Sequence, residues 1–158
     1  RIIYLMGAGD PLEILEAISR GCDMFDSRFP TQNARRGTLF TWKGKIKIFN
    51  KKYELDKSPI DKECECWVCQ NYTKAYVRYQ LRQEEGLGFR LATYHNIYLE
   101  KAREEIKKGK FDEFLKKMRK EWKEKLELNQ EYLEKLKKIR KGKYIKFNSI
   151  KNLRKVIN

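Results

Sequence analysis

Residues 2–26, "IIYLMGAGDPLEILEAISRGCDMFD", decide how this chain is read. "IIYLM" (2–6) is a short apolar run that ends at Gly7-Ala8-Gly9 and reads as a strand entering a turn. Asp10-Pro11 then marks a helix start: a carboxylate able to accept an orphan amide, followed by proline where no amide is needed. Leu12, Ile14, Leu15 and Ile18 follow at near-helical spacing, and Gly21 stops them. "CDMFD" (22–26) reads as a second short strand. Such a β-α-β unit belongs to a parallel sheet, open or closed into a barrel, so the fold class is α/β. In either form the reactive groups gather at the carboxyl ends of the strands. Here those ends are the Tyr4–Gly7 stretch and Asp26. Arg1 followed directly by an apolar strand does not read as a natural start, and a preceding N-terminal part is expected.

At 158 residues the chain is about one domain's worth. An aromatic content of 13% alongside 37% charged residues argues for a folded, highly solvated protein, because disorder goes with few aromatics. No apolar run approaches the ~20 residues of a membrane span, and no signal-peptide pattern opens the chain; the expected setting is the cytoplasm, without membrane contact. The net charge is +15, and residues 101–158 hold 21 basic and 9 acidic side chains. That excess suits a polyanionic partner, since each phosphate neutralised releases counterions. It equally suits a well-solvated helix.

"RFPTQNARRG" (28–37) reads as a loop, and "TLFTWKGKIKIFN" (38–50) as a β-hairpin turning at Lys43-Gly44. From Asn71 a helix is expected with Tyr72, Tyr76 and Tyr79 on one face, broken by Gly86-Leu87-Gly88. "FRLATYHNIYLEKAREEIKKGK" (89–110) reads as one further helix. Beyond Gly109, Phe111, Leu115, Met118, Trp122 and Leu126, then Leu133, Leu136 and Ile139, form an intermittent apolar stripe on a basic helix or helix pair. "KYIKFNSIKNLRKVIN" (143–158) fits a strand, a helix or a frayed end alike.

Cys64, Cys66 and Cys69 follow Cys-x-Cys-x-x-Cys spacing, and the only histidine, His95, comes later on an expected helix. Three thiolates and one imidazole make a closed tetrahedral set, the arrangement of a structural Zn2+ site with no position left for a reacting water. Disulfides and exposed reactive thiols are the competing readings. Cys22 stands apart and reads as a small buried apolar residue.

Taken in order, "YLMGAG" (4–9), "GCDMFDSRFPTQNARRGTLFT" (21–41), "SPIDKECECWVCQNYTKAYVR" (58–78) and "LGFRLATYHN" (87–96) closely resemble the carboxyl-terminal part of the bacterial tRNA-guanine transglycosylases, also called queuine tRNA-ribosyltransferases. The likeness runs from about residue 1 to residue 118. It implies the last strands of a TIM (β/α)8 barrel with nucleophile and anticodon-facing loop in 1–36, a β-hairpin and zinc-binding subdomain in 37–100, and a basic helical carboxyl-terminal extension in 101–158. It also implies exchange of the wobble guanine of G-U-N anticodon tRNAs for a 7-deazaguanine precursor of queuosine. One structural zinc held by Cys64, Cys66, Cys69 and His95 would accompany it.

Base exchange on one ribose needs a group that holds the anomeric carbon between departure and arrival, and a carboxylate does so covalently. Two displacements then retain configuration. Asp26 resembles the family's nucleophile; on the residues alone it also reads as a loop-capping aspartate. Tyr4, Met6 and Gly7 match the positions that sandwich the base, although Tyr4 and Met6 read without the resemblance as core strand residues. Gln32, Asn33 and Arg35 fall in the RNA-facing segment, with Gln32 where the family usually has arginine and Ser27 where cysteine is frequent. Tyr72, Tyr76 and Tyr79 match a homodimer contact, and equally suit a helix face packed on the barrel. The family's general acid/base aspartate lies upstream of Arg1, so the isolated chain is expected to be inactive. A non-catalytic zinc-containing RNA-binding module and a silent subunit of such an enzyme stand as alternatives.

Overall fold

The structure is a computed structural model that describes residues 2–122. The expected stripe from Leu126 onward and the segment 143–158 lie outside the described residues.

Strand β1 (Tyr4–Met6) pairs in parallel with β2 (Met24–Asp26), Tyr4 opposite Met24 and Met6 opposite Asp26. Helix α1 (Pro11–Ser19) makes the connection. Its start is the one expected: Asp10 Oδ1 accepts the Leu12 amide at 3.1 Å, and Pro11 opens the first turn. Leu5, Ala8, Ala17 and Cys22 close a small core between strand and helix. Strand alternation therefore sends Leu5 inward and turns Tyr4 and Met6 out, 40% and 71% exposed. The residue-only reading of these two as core side chains is corrected accordingly. Cys22 is buried as expected, although it precedes β2 instead of lying within it.

The arginine-rich segment expected as a loop is a helix, α2 (Phe29–Arg35). Pro30 sits in its first turn, where the missing amide has no partner to lose, and the Ser27 hydroxyl accepts the Phe29 amide at 3.1 Å. Only Pro30 and Ala34 are buried, too few apolar positions for the periodicity to register in the sequence. The hairpin forms from β3 (Thr38–Thr41) and β4 (Gly44–Lys47), but Thr41 pairs with Gly44, so the turn residues are Trp42-Lys43. Thr41 Oγ1 donates to the Gly44 carbonyl and accepts the Lys43 amide, which fixes the turn one residue early. Gly44, with φ 116°, begins the return strand in a conformation that favours glycine.

After a 3-10 turn at Lys51–Tyr53 come α3 (Trp67–Asn71), α4 (Lys74–Arg82) and α5 (Gly86–Ile97). The helix expected from Asn71 starts later, because the Thr73 hydroxyl caps it through the Tyr76 amide; Tyr72 lies ahead of it. Nor do the glycines break it. The break falls at Gln83–Glu85, where Glu84 takes φ 54°, and Gly86 and Gly88 open α5. A Cβ on Gly88 would meet the Gln80 carbonyl carbon and the Leu81 nitrogen at 2.7 Å, so this glycine lets α4 and α5 approach.

The helix expected over 89–110 is likewise two: α5 and α6 (Glu100–Lys107), followed by α7 (Phe111–Trp122). Tyr98 and Leu99 separate the first two because they pack into different cores. Tyr98 leans on the cluster around Leu39, Val68, Val77 and Leu91. Leu99 leans on the cluster where α1 meets α7, made by Leu12, Leu15, Phe114, Met118 and Trp122. The buried Trp42 belongs to the second cluster and accepts the Trp122 indole N–H at its carbonyl, 3.2 Å away. Hairpin and α7 are thus built onto the β-α-β unit. No helix among the described residues is long and apolar enough to cross a membrane.

Candidate active site and metal centre

Asp26 ends β2 beside Met6, at the carboxyl edge of both strands. The Gly7 amide donates to the Asp26 carbonyl at 2.7 Å, and Gly7, at φ 86°, turns the chain away from the strand ends. The Asp26 carboxylate is exposed; its Oδ2 accepts the Tyr4 hydroxyl at 3.2 Å. Partial desolvation and the neighbouring carboxylate raise the Tyr4 phenol above its ordinary value, so the hydroxyl stays a donor. Asp23, at the other end of the same segment, accepts the Ile3 amide through Oδ2 at 2.8 Å. Gly9 meets a tighter demand than Gly7: a Cβ there would lie 2.5 Å from Ser27 Oγ and 2.6 Å from Phe29 Cβ. The turn after β1 and the segment after Asp26 are therefore in close packing. Tyr4, Met6, Gly7 and Asp26 come together on this edge.

Gln32, Asn33 and Arg35 lie on α2, a few residues along the chain from that edge. Arg35 is exposed in the last turn, while Gln32 and Asn33 are half-buried. Asn33 Nδ2 donates to the Phe29 carbonyl at 2.9 Å, which fixes its side chain along the helix.

The second constellation is built by a short knuckle and one helix. Cys66 caps α3, its sulfur accepting the Cys69 amide at 3.4 Å. Cys64 precedes it, and α5 supplies His95, 4% exposed. The four donor atoms of Cys64, Cys66, Cys69 and His95 lie within 4.8 Å of one another. His95 Nδ1 is 3.4 Å from the Cys66 and Cys69 sulfurs and 3.9 Å from that of Cys64. Tetrahedral zinc with ordinary bond lengths puts sulfur and nitrogen about 3.6 Å apart, inside this spread. The other ring nitrogen, Nε2, donates to the Phe40 carbonyl at 2.7 Å, leaving the Nδ1 lone pair free to face the sulfurs.

The four groups share protons unevenly: hydrogen bonds with Cys66 and Cys69 push the Cys64 thiol far above its ordinary value. Burial lowers the His95 pKa, yet the Cys66 and Cys69 sulfurs outweigh it and raise the group to about 9. Hydrogen bonds from Cys64 and Cys69 hold the Cys66 thiol far below its ordinary value. The donor types and their spacing fit a structural zinc ion, whose binding requires these groups to give up their protons. All four cysteines are free of disulfides.

Three buried polar groups support these sites without announcing themselves in the sequence. Asp61 accepts the Trp42 amide at 2.6 Å and the Glu63 amide at 2.8 Å, tying the cysteine loop to the hairpin turn. Asp10 forms an ion pair with Lys45, whose ammonium also lies over the Phe29 and Phe40 rings. Asn96, beside His95, bonds to α2 and β3. Asp10 was legible only as the helix cap, and Asp61 and Asn96 only by chemical type: an acid or amide where an apolar residue would suit the core.

The Tyr72 and Tyr76 rings stack at 5.2 Å, and Trp67 meets Tyr72 edge to face. Tyr76 is 37% and Tyr79 59% exposed.

Known proteins agree with the motifs. The family described as "Queuine tRNA-ribosyltransferase" matches residues 1–124. Queuine tRNA-ribosyltransferase of Halothermothrix orenii is 48% identical over 123 residues, covering 72% of this chain and 33% of that protein. Its namesake in Fusobacterium nucleatum is 45% identical over 119 residues, 72% of this chain and 32% of its own. That of Clostridium kluyveri is 46% identical over 127 residues, covering 77% and 34%. The chain spans about a third of the length of these relatives, corresponding to their carboxyl-terminal part. A match over residues 1–124, joined to a Cys3His centre and a carboxylate at the strand ends, shows that the chain belongs to the queuine tRNA-ribosyltransferase family.

Proposed function

We infer that this chain is the carboxyl-terminal portion of a TIM-barrel tRNA-guanine transglycosylase, with Asp26 as its nucleophile. The observation that carries the reading is the position of Asp26: exposed, at the carboxyl end of a parallel strand, held by the Tyr4 hydroxyl and facing the Gly7 turn.

In this reading the Asp26 carboxylate attacks C1′ of the wobble ribose as the bond to guanine breaks. Guanine leaves with the bonding electrons and takes up a proton. The incoming 7-deazaguanine-type base gives up a proton, attacks the same carbon and displaces Asp26, so the ribose configuration is retained. Tyr4 and Met6, turned outward from β1, offer an aromatic ring and a polarisable thioether to a flat base, and Gly7 lets it approach the backbone. Gln32, Asn33 and Arg35 on α2 face the anticodon, Arg35 supplying charge and Gln32 a neutral hydrogen-bonding edge. Zinc, when bound, supplies rigidity and no reactive position, because four protein ligands close it. The carboxylate that moves the protons belongs, by family resemblance, to the part preceding Arg1, so residues 1–158 alone exchange no base. Tyr72, Tyr76 and Tyr79 form the contact with a second copy. A tRNA substrate implies a cytoplasmic setting.

The test is incorporation of labelled guanine into a tRNA with a G-U-N anticodon by the chain joined to its native upstream part. Asp26→Asn is expected to lower the rate on the order of 10,000-fold or more, as losses of essential catalytic groups do. No incorporation even with Asp26, in folded, zinc-loaded protein, would point to an RNA-binding module or silent subunit.

A further inference from the structure

Asn96 follows His95 on α5 and is 3% exposed. Asparagine is a poor helix former, because its amide competes with the backbone. A buried one within a helix therefore needs partners to offset desolvation. It has three, all on other elements. Its Oδ1 accepts the Phe40 amide at 3.0 Å, while Nδ2 donates to the Thr38 carbonyl at 2.9 Å and the Pro30 carbonyl at 3.1 Å. Both amide protons and the oxygen are engaged.

These partners are not scattered. Thr38 and Phe40 belong to β3, and Pro30 lies in the first turn of α2. His95 is stitched to the same strand, since its Nε2 donates to the Phe40 carbonyl. The backbone of Phe40 is thus held at its amide by Asn96 and at its carbonyl by His95. Two consecutive residues of α5 connect the metal centre to α2, and α2 begins three residues after Asp26.

The geometry points to Asn96 as a positioning residue that fixes α2, with its RNA-facing side chains, relative to the metal centre. The RNA part of this statement rests on the function proposed above; the mechanical part does not. Asn96 acts through α2 and touches neither RNA nor base. Its loss therefore loosens tRNA binding while leaving the free base, held by Tyr4 and Met6, unaffected.

The experiment uses zinc-loaded protein joined to its native upstream part. Asn96→Asp keeps size and the acceptor but, as a carboxylate, lacks both donors; Asn96→Ser serves should a buried carboxylate prevent folding. Amide hydrogen exchange is compared between residues 29–35 and residues 74–82, with zinc content measured alongside. Exchange in α2 should rise about tenfold or more, the effect of roughly one net hydrogen bond, with α4 and zinc content unchanged. The KM for tRNA should rise about tenfold while the KM for free guanine stays within roughly twofold. Unchanged α2 exchange would overturn the proposal, as would parallel loosening of α2 and α4 with loss of zinc. Faster α2 exchange with an unaltered KM for tRNA would overturn its RNA part. If the parent protein exchanges no guanine, hydrogen exchange still decides the link, and the functional reading alone fails.

Discussion

Cys66 caps α3 with its sulfur, which also faces His95, so one atom organises both the knuckle and the metal centre. Around it the chain from 48 to 66 contains little regular structure beyond the turn at Lys51–Tyr53. Such a segment gains from cross-linking what it cannot gain from burial. Complete removal of the metal by a chelator is therefore expected to lower the thermal midpoint by well over 10 °C, given the roughly 10 kcal/mol such ions contribute in small domains. Melting that does not change, in protein shown by metal analysis to be zinc-free, would contradict this. At this scale the sequence was legible where ligands are concentrated, in three cysteines and one histidine, and it placed Asp26 of "MFDS" at a strand end. Asn96 and Asp61 were not, because the Asn96 partners and the Trp42 partner of Asp61 stand 19 to 66 positions away and only the fold brings them together.

Helix α1 meets α7 through an apolar seam with one ion pair set in it: Glu16, with a side chain only 3% exposed, and Arg119, 42% exposed. Arg119 Nη2 donates to Glu16 Oε2 at 2.8 Å, and Arg20 approaches the same carboxylate at 3.4 Å. The Arg119 hydrogen bond holds the Glu16 carboxyl below its ordinary value against the opposing effect of burial. A depressed folded-state value means stability that is present above the unfolded pKa, ~4.3, and lost as pH falls through the folded value. Arg119→Ala should thus destabilise by about 1–2 kcal/mol at neutral pH, discounted for the exposure of Arg119, with the difference shrinking below about pH 4. Denaturant unfolding at several pH values measures it; a constant difference down to pH 2.5 would refute the assignment.

The elements that the sequence shows well are those with local punctuation, such as Asp10-Pro11 and Gly21 around α1. Helix α2 was hidden because it buries two residues, and the α5–α6 bend because Tyr98 and Leu99 answer to different cores.

Across the whole molecule, the stacked Tyr72 and Tyr76, the adjoining Trp67 and the exposed Tyr79 make an aromatic face of the composition found at protein interfaces. For the dimer proposed above, Tyr76→Ala should raise the dissociation constant about 30-fold, equivalent to roughly 2 kcal/mol, and give monomers in sedimentation at low micromolar concentration. An intact dimer would assign the face to packing within one chain. The β-α-β unit, hairpin, zinc knuckle and α7 share one continuous arrangement in which the strand edge with Asp26 and the metal centre are joined through α2 and β3.

Asp26 is the proposed nucleophile, so the most direct measurement is chemical. The chain joined to its native upstream part would be mixed with G-U-N tRNA, denatured during turnover and digested, and the RNA-bearing peptide sequenced by mass spectrometry. A ribose ester on Asp26 is the expected result. An adduct on another residue, or rapid guanine exchange with no adduct at any time, would contradict it.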